Sequence, residues 1–266
     1  MEIAGRTFVV TGAGAGIGRE VALLLLQRGG RVAGVDLNAD GLAGTGTLAA
    51  QDADRWSAHA VDVCDRAAVD GLIGDVLAQH GQLDGLLNVA GIIQPFLPLE
   101  ELSIEAIAKV MNVNFWGVVH TTKAALPHLL ARPQACVVNV SSMGGFTPVP
   151  GQTAYGASKA AVKLLTEGLY AESRGTSVAV SVVFPGAVAT EISANSGVHI
   201  DAPADAPAFP TTSPRDAAHR IVDEAVVKGR YRVLVGKDAT MLDRISRLAP
   251  QRATDMIAKK MASLLG

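Results

Sequence analysis

Tyr155 and Lys159 lie four residues apart in a stretch, 154–173, whose apolar spacing predicts a helix, so both side chains fall on one face a turn apart. Free tyrosine titrates near about 10, too high for a base at neutral pH. A fixed ammonium beside it stabilises the phenolate, which is what acid/base use of a phenol requires. A second constellation is TGAGAGIG, Thr11 to Gly18. Between a strand and a helix, Gly12, Gly16 and Gly18 let the chain turn tightly and let a pyrophosphate approach the backbone at a helix N-terminus. Asp36 follows Gly18 by eighteen residues. At the end of a second strand its carboxylate can accept from the ribose hydroxyls of an adenosine and would repel a 2′-phosphate. Ala15, before Gly16, offers no cation to such a phosphate. Both features favour NAD over NADP. Asp62 has two readings, a partner for the adenine amino group or a solvated carboxylate at a strand end.

These residues need elements that carry them to one place, and the chain alternates β-branched runs with helical patterns. Residues 7–10, 31–35, 56–61, 83–89, 135–140, 177–184 and 231–235 read as strands. Helical patterns cover 17–28, 40–51, 67–80, 104–113 continuing through 121–130, 154–173 and 214–227, the last opened by Ser213 and Pro214. Gly41, Gly44 and Gly46 weaken the second helix, each by about 0.8–1 kcal/mol relative to alanine. The pattern predicts an α/β fold of the Rossmann-like, doubly wound kind: a mainly parallel seven-stranded sheet with helices on both faces. It reads as one catalytic domain over 1–236. A small and polar insert within 187–212, containing Pro203, Pro207 and Pro210, reads as a lid.

The 266 residues are 49% apolar and 18% charged, enough to bury a substantial core in a single domain and too apolar for disorder. With 23 Lys and Arg against 25 Asp and Glu, the net charge of −2 supplies no cationic field for nucleic acid or anionic lipid. No secretory leader or membrane span is evident, and Cys64 and Cys136 read as buried reduced thiols, so the expected location is the cytoplasm. Asn139 to Ser141 spell a glycosylation sequon inside an apolar strand and read as a chance match. The six histidines, His59, His80, His120, His128, His199 and His219, show no ligand spacing, and no metal is expected.

Taken in order, the motifs resemble the short-chain dehydrogenase/reductase family from Arg6 to about Gly236. TGAGAGIG looks like its cofactor loop, Asn88-Val89-Ala90-Gly91 like its NNAG segment, NVNFWG carries Asn114, Ser142 ends NVSS, Tyr155 to Lys159 reads YGASK, and Pro185 to Thr190 reads PGAVAT. The loop spacing is that of the shorter, single-domain subfamily, and Val89 replaces the family's second Asn. The resemblance implies that Ser142 shares the substrate oxygen with Tyr155, that Tyr155 passes the proton, and that Lys159 lowers the phenol pKa and bonds the nicotinamide ribose. Asn114, preferred to Asn112, would hold a water in a proton relay from Lys159. It further implies cofactor contacts at Gly12, Gly16, Ile17, Gly18, Asp36, Asp62, Val63, Asn88, Ala90, Gly91, Tyr155, Lys159, Pro185, Gly186, Val188 and Thr190. The cofactor would be NAD, and the assembly a homotetramer or homodimer.

Substrate contacts are expected from the loops beyond the strand ends, which Ile92, Ile93, Phe96, Met143, Phe146, Val149 and Ile192 make apolar. They point to a hydrophobic secondary alcohol or ketone. The alternatives are an NADP-dependent carbonyl reductase and a non-catalytic dinucleotide sensor or scaffold; the full set Asn114, Ser142, Tyr155 and Lys159 argues against the latter. Residues 237–266 form a basic amphipathic tail. Its apolar positions, among them Met241, Leu242, Ile245, Leu248 and Ile257, suit packing on its own or a neighbouring subunit, a lid over the entrance, or a membrane surface.

Overall fold

The computed structural model describes residues 1–198 and 211–261. The strands are β1 (Thr7–Thr11), β2 (Arg31–Asp36), β3 (Trp56–Ala60), β4 (Gly85–Asn88), β5 (Ala135–Val140), β6 (Val178–Pro185) and β7 (Arg232–Val235). They form one sheet in the order β3-β2-β1-β4-β5-β6-β7, and every pairing is parallel. Parallel neighbours need crossovers, and helices supply them.

Helices α1 (Gly16–Gln27), α2 (Ala39–Leu48), α3 (Arg66–His80), α4 (Ile104–Met111), α5 (Gly117–Leu130), α6 (Thr153–Glu172), α7 (Ile192–Asn195), α8 (Pro214–Ile221), α9 (Lys237–Leu248) and α10 (Pro250–Met261) complete the described chain. On one face, Val21, Leu25, Ile221 and Val222 from α1 and the α8 region pack on Phe8, Val10 and Val138. On the other, Leu72, Ile73, Ala125, Leu129 and Leu169 from α3, α5 and α6 pack on Val9, Leu86 and Val137. Each central strand is therefore apolar on both sides, the pattern a two-sided parallel sheet demands.

Several expected boundaries move, for local reasons. The helix expected over 40–51 ends at Leu48 and passes into a 3-10 turn, Ala50–Arg55. Gly41 in it presses close to Gly14 of the glycine loop, where a Cβ would meet the Gly14 carbonyl at 3.0 Å. Between α4 and α5 the chain stays helical but widens into a π-turn, Asn112–Trp116, the kind of insertion that re-aims one side chain. Ser213 caps α8 through a bond from Asp216 N, with Pro214 at the first position. Of the expected lid, a short helix α7 is seen; Pro203, Pro207 and Pro210, with His199, lie outside the described residues. The described part of the tail, to Met261, is two helices that pack on each other, with α9 also against β7 and the Met143–Gly145 turn. Leu242 and Ile257 are buried, while Leu248 and Met241 face outward.

The buried frame contains a charged knot at Asp84. Asp84, fully enclosed, accepts from Thr7 N (2.9 Å), Arg132 (2.8 Å) and Arg6 (3.3 Å), tying β1, β4 and the end of α5. Asn139 is also buried, bonded to Asn88 and Thr166, so the sequon is closed to modification. Cys136 is buried with its thiol pushed up to about 12, whereas Cys64, expected to be buried too, is only partly covered because it lies in the turn after β3. Both are free thiols.

Candidate active site

A cavity of about 680 Å³ opens at the C-terminal strand ends, beside β1 and β4 where the strand order reverses. Its floor on the β1–β2 side is the glycine loop. Gly12 and Gly16 take positive φ (73° and 52°), and at Gly18 a Cβ would overlap the Gly12 carbonyl, so the tight turn into α1 tolerates only glycine there. Neighbours brace the loop. Gly14 N donates to Asp36 Oδ2 (2.9 Å), Thr45 Oγ1 donates to Ala13 O (2.8 Å), and the Arg19 guanidinium bonds Gly14 O, Gly41 O and Thr45 Oγ1. Arg19 is thus a cation near the loop whose bonds are committed to protein oxygens.

The donor set fits a dinucleotide. No side chain caps the N-terminus of α1, leaving its first N–H groups available to an anion. Asp36 lines the same cavity, its oxygens each accepting one backbone N–H, from Gly14 and from Asn38 (2.9 Å each), with lone pairs left for a diol. Asp62 and Val63 also line it; Asp62 Oδ1 accepts from Cys64 N (2.8 Å).

The opposite wall is assembled from distant segments. Ser142, Tyr155 and Lys159 line the cavity. Ser142 Oγ and the Tyr155 ring edge approach one point: a Cβ placed on Gly144 would lie 3.4 Å from the first and 3.5 Å from the second. Gly91 likewise marks where Lys159 Nζ and Asn114 Oδ1 meet, at 3.0 and 3.2 Å from its notional Cβ. Lys159 is buried, donates to Val140 O (3.2 Å), and sits 5.9 Å from the Tyr155 ring centre.

Burial governs the electrostatics of the pair. Burial raises the Tyr155 pKa above that of free phenol, opposed by a hydrogen bond with Ser142. Burial lowers Lys159 to about 8. In the chain by itself, desolvation dominates the shifts of both groups.

Asn114 is fully buried in the π-turn, with Oδ1 accepting from Ile92 N and Nδ2 donating to Ile92 O (2.9 Å each) and Ser158 Oγ (3.0 Å). Asn112 is exposed on the far side. Ala90, Gly91, Pro185, Gly186, Val188, Thr190, Ile17 and the glycines lie on the cavity wall, and Thr190 packs against Gly16 across it. Asn88 does not lie there. Its amide is occupied by Thr121, Thr122 and Asn139 beneath the site, because it points from the strand into the helix layer.

Of the expected apolar lining, Ile92, Ile93, Phe96, Met143, Val149 and Ile192 face the cavity. Phe146 does not; it meets Phe184 edge-to-face and lies under Arg232, which draws the ring toward β7. Three residues were not indicated by any motif. Gln94 is buried, accepts from Tyr155 N (2.9 Å) and donates to Gly151 O (3.0 Å), satisfying an N–H at the start of α6 that no local side chain caps. Gln152 Nε2 donates to Gln94 O (2.8 Å). Lys109 brings a cation to the rim, one that the loop composition did not reveal because it lies on α4. The histidines are less scattered than their spacing suggests: His59 and His80 both meet Ser57 Oγ, at 2.9 and 2.8 Å. Among the described residues no group of three or more His, Cys, Asp or Glu could hold a metal, and no helix is long and apolar enough to cross a membrane.

The short chain dehydrogenase family pattern matches residues 6–200. A Mycobacterium tuberculosis protein assigned as the oxidoreductase SadH is 36% identical over 266 residues, covering 97% of this chain and 96% of its own. The 1-deoxy-11-beta-hydroxypentalenate dehydrogenase of Streptomyces avermitilis is 35% identical over 243 residues, 90% of this chain and 87% of that one. A short chain dehydrogenase/reductase from Burkholderia phymatum, crystallised with NAD, superposes with a TM-score of 0.85 at 26% identity, over 96% of this chain and 97% of that one. Family pattern, full-length relatives and an all-parallel sheet with its cavity at the strand-order reversal agree: the chain belongs to the short-chain dehydrogenase/reductase family of oxidoreductases.

Proposed function

We propose that the protein interconverts a hydrophobic secondary alcohol and its ketone with NAD(H), using Tyr155 as the proton-transfer group. The observation that carries this reading is the convergence of Ser142, Tyr155 and Lys159 on a cavity whose other wall is a glycine loop with an open helix N-terminus. The nicotinamide, when bound, supplies the hydride donor or acceptor. Tyr155, its phenol kept protonated by burial, donates a proton to the substrate oxygen in reduction and takes it back in oxidation. Ser142 holds that oxygen and stabilises the charge developing on it. Lys159 supplies positive charge behind the phenol, and Asn114, bound to Ile92 and adjacent to the ammonium, orders the route by which a proton reaches it.

NAD is favoured over NADP by Asp36 on the cavity wall, by Ala15 in the loop, and by the commitment of Arg19 to carbonyl oxygens. The NAD in the Burkholderia phymatum complex agrees with that preference. Ile92, Ile93, Phe96, Met143, Val149 and Ile192 favour an apolar substrate. The name of the Streptomyces relative, a hydroxypentalenate dehydrogenase, is consistent with a hydroxyl-bearing substrate. Members of this family commonly assemble as oligomers, and a homodimer or homotetramer is proposed here. Titration with NADH and NADPH by cofactor fluorescence, followed by a panel of apolar alcohols with NAD at 340 nm, tests the reading, the wavelength being about that of reduced nicotinamide absorbance. Turnover confined to small charged hydroxy acids, or tighter binding of NADPH than NADH, would contradict it.

A further inference from the structure

The segment from the last residue of β6, Pro185, to Thr190 forms the wall nearest the proposed nicotinamide position, and its shape is set from behind. Gly186 N donates to Val235 O (2.9 Å), Thr212 N donates to Ala187 O (2.9 Å), and Ala189 N donates to Thr212 O (3.0 Å). The Ala187 N–H donates to Asp238 Oδ2 at 2.7 Å, a short charge-assisted bond. Asp238 lies in the first turn of α9, in the tail that follows the sheet. Its carboxylate presses so closely on Gly186 that any Cβ there would overlap it. It does not line the cavity; Gly186 and Ala187 stand between. A second acid of the same helix, Asp243, binds Arg232, whose guanidinium lies 4.0 Å from the Phe184 ring centre and 5.5 Å from that of Phe146. Phe184 immediately precedes Pro185, so α9 grips the segment at two points.

We propose that Asp238 is a positioning residue for the nicotinamide half of the cofactor, and that α9 serves the site from within its own chain by holding Gly186 and Ala187 against the cavity. This rests on the dinucleotide reading above. An electrostatic clasp on a glycine-containing loop holds the backbone where a flat ring can approach it, whereas a side chain at 186 would collide with the Asp238 carboxylate and push the loop off its clasp.

The test compares NADH with ADP-ribose, which carries the adenosine and both phosphates but no nicotinamide, in the full-length protein. Asp238→Ala is expected to weaken NADH binding by about 10- to 100-fold, the worth of a hydrogen bond to a charged group, and ADP-ribose binding by less than about twofold. Asp238→Asn retains an oxygen for the Ala187 N–H and should recover most of the NADH affinity. Asp238→Glu, a methylene too long for the space against Gly186, should repeat the selective loss and stands in if the alanine variant does not fold. Unchanged NADH affinity in Asp238→Ala or Asp238→Glu, or an equal loss of ADP-ribose affinity, overturns the proposal. Wild-type protein that binds neither ligand would overturn the functional reading, and this inference with it.

Discussion

The two walls of the cavity are built in different ways. The glycine loop is nearly continuous in sequence, uses backbone groups, and sits at the start of α1, so its shape follows from one turn and a few braces. The facing wall draws Gln94, Asn114, Ser142, Tyr155, Lys159 and, from behind, Asp238 out of five segments, and it works through side chains. A local backbone device can be read and engineered as a unit. An assembled wall depends on several long-range hydrogen bonds, each of which can fail alone.

Substitutions that separate binding from turnover sharpen this contrast. Tyr155→Phe should lower turnover by about 10³-fold or more through loss of the proton route, with NADH affinity within about twofold of wild type; near-normal turnover would defeat the mechanism. Lys159→Met should lower turnover by about 10²-fold and also change the pH dependence of stability. With Lys159 lowered from 10.5 to about 8, the unfolded chain holds more protons between those values, so stability rises with pH across that window. Below it the buried ammonium costs about 3 kcal/mol. The methionine variant should lose this rise between pH 8 and 10.5 in urea unfolding, and a rise that persists would place the titration elsewhere.

On the glycine-loop wall, Asp36→Ala should shift the NADH-to-NADPH affinity ratio by about tenfold toward NADPH while sparing turnover at saturating cofactor. No shift would mean that Asp36 only braces Gly14. Gln94→Ala should give the smallest effect, a fall in kcat of about three- to tenfold with cofactor affinity unchanged, because Tyr155 N and Gly151 O lose their partner. If NADH affinity fell instead, the two walls would not be separable.

The strand and helix order was legible in the sequence because each element carries its own periodicity. The parallel sheet followed from alternation, and β5 agrees residue for residue with the stretch expected at 135–140. The glycine loop was legible for the same local reason. Residues whose purpose is set by distant partners were less so. Asn88 belongs to a motif near the site, yet its side chain turns toward α5. Phe146 is an apolar residue in a cavity loop, yet Arg232 and Phe184 hold it elsewhere. His59 and His80 are 21 positions apart in the numbering and meet on one hydroxyl, since β3 and the end of α3 return to the same edge. Nothing near Gln94 in sequence marks it as the cap of α6, because the N–H that it satisfies lies 61 residues on.

Composition, periodicity and the ordered motifs were enough to determine the doubly wound sheet, its cofactor loop and the Tyr155–Lys159 pairing on one helical face, since each depends on residues a few positions apart. Tertiary structure alone decided the electrostatics and the bracing: that burial raises Tyr155 and lowers Lys159, that Asn114 and not the exposed Asn112 faces the ammonium, and that a carboxylate from α9 holds Gly186 and Ala187. Desolvation and long-range hydrogen bonds depend on what surrounds a group in space, and that environment exists only after distant segments have packed together.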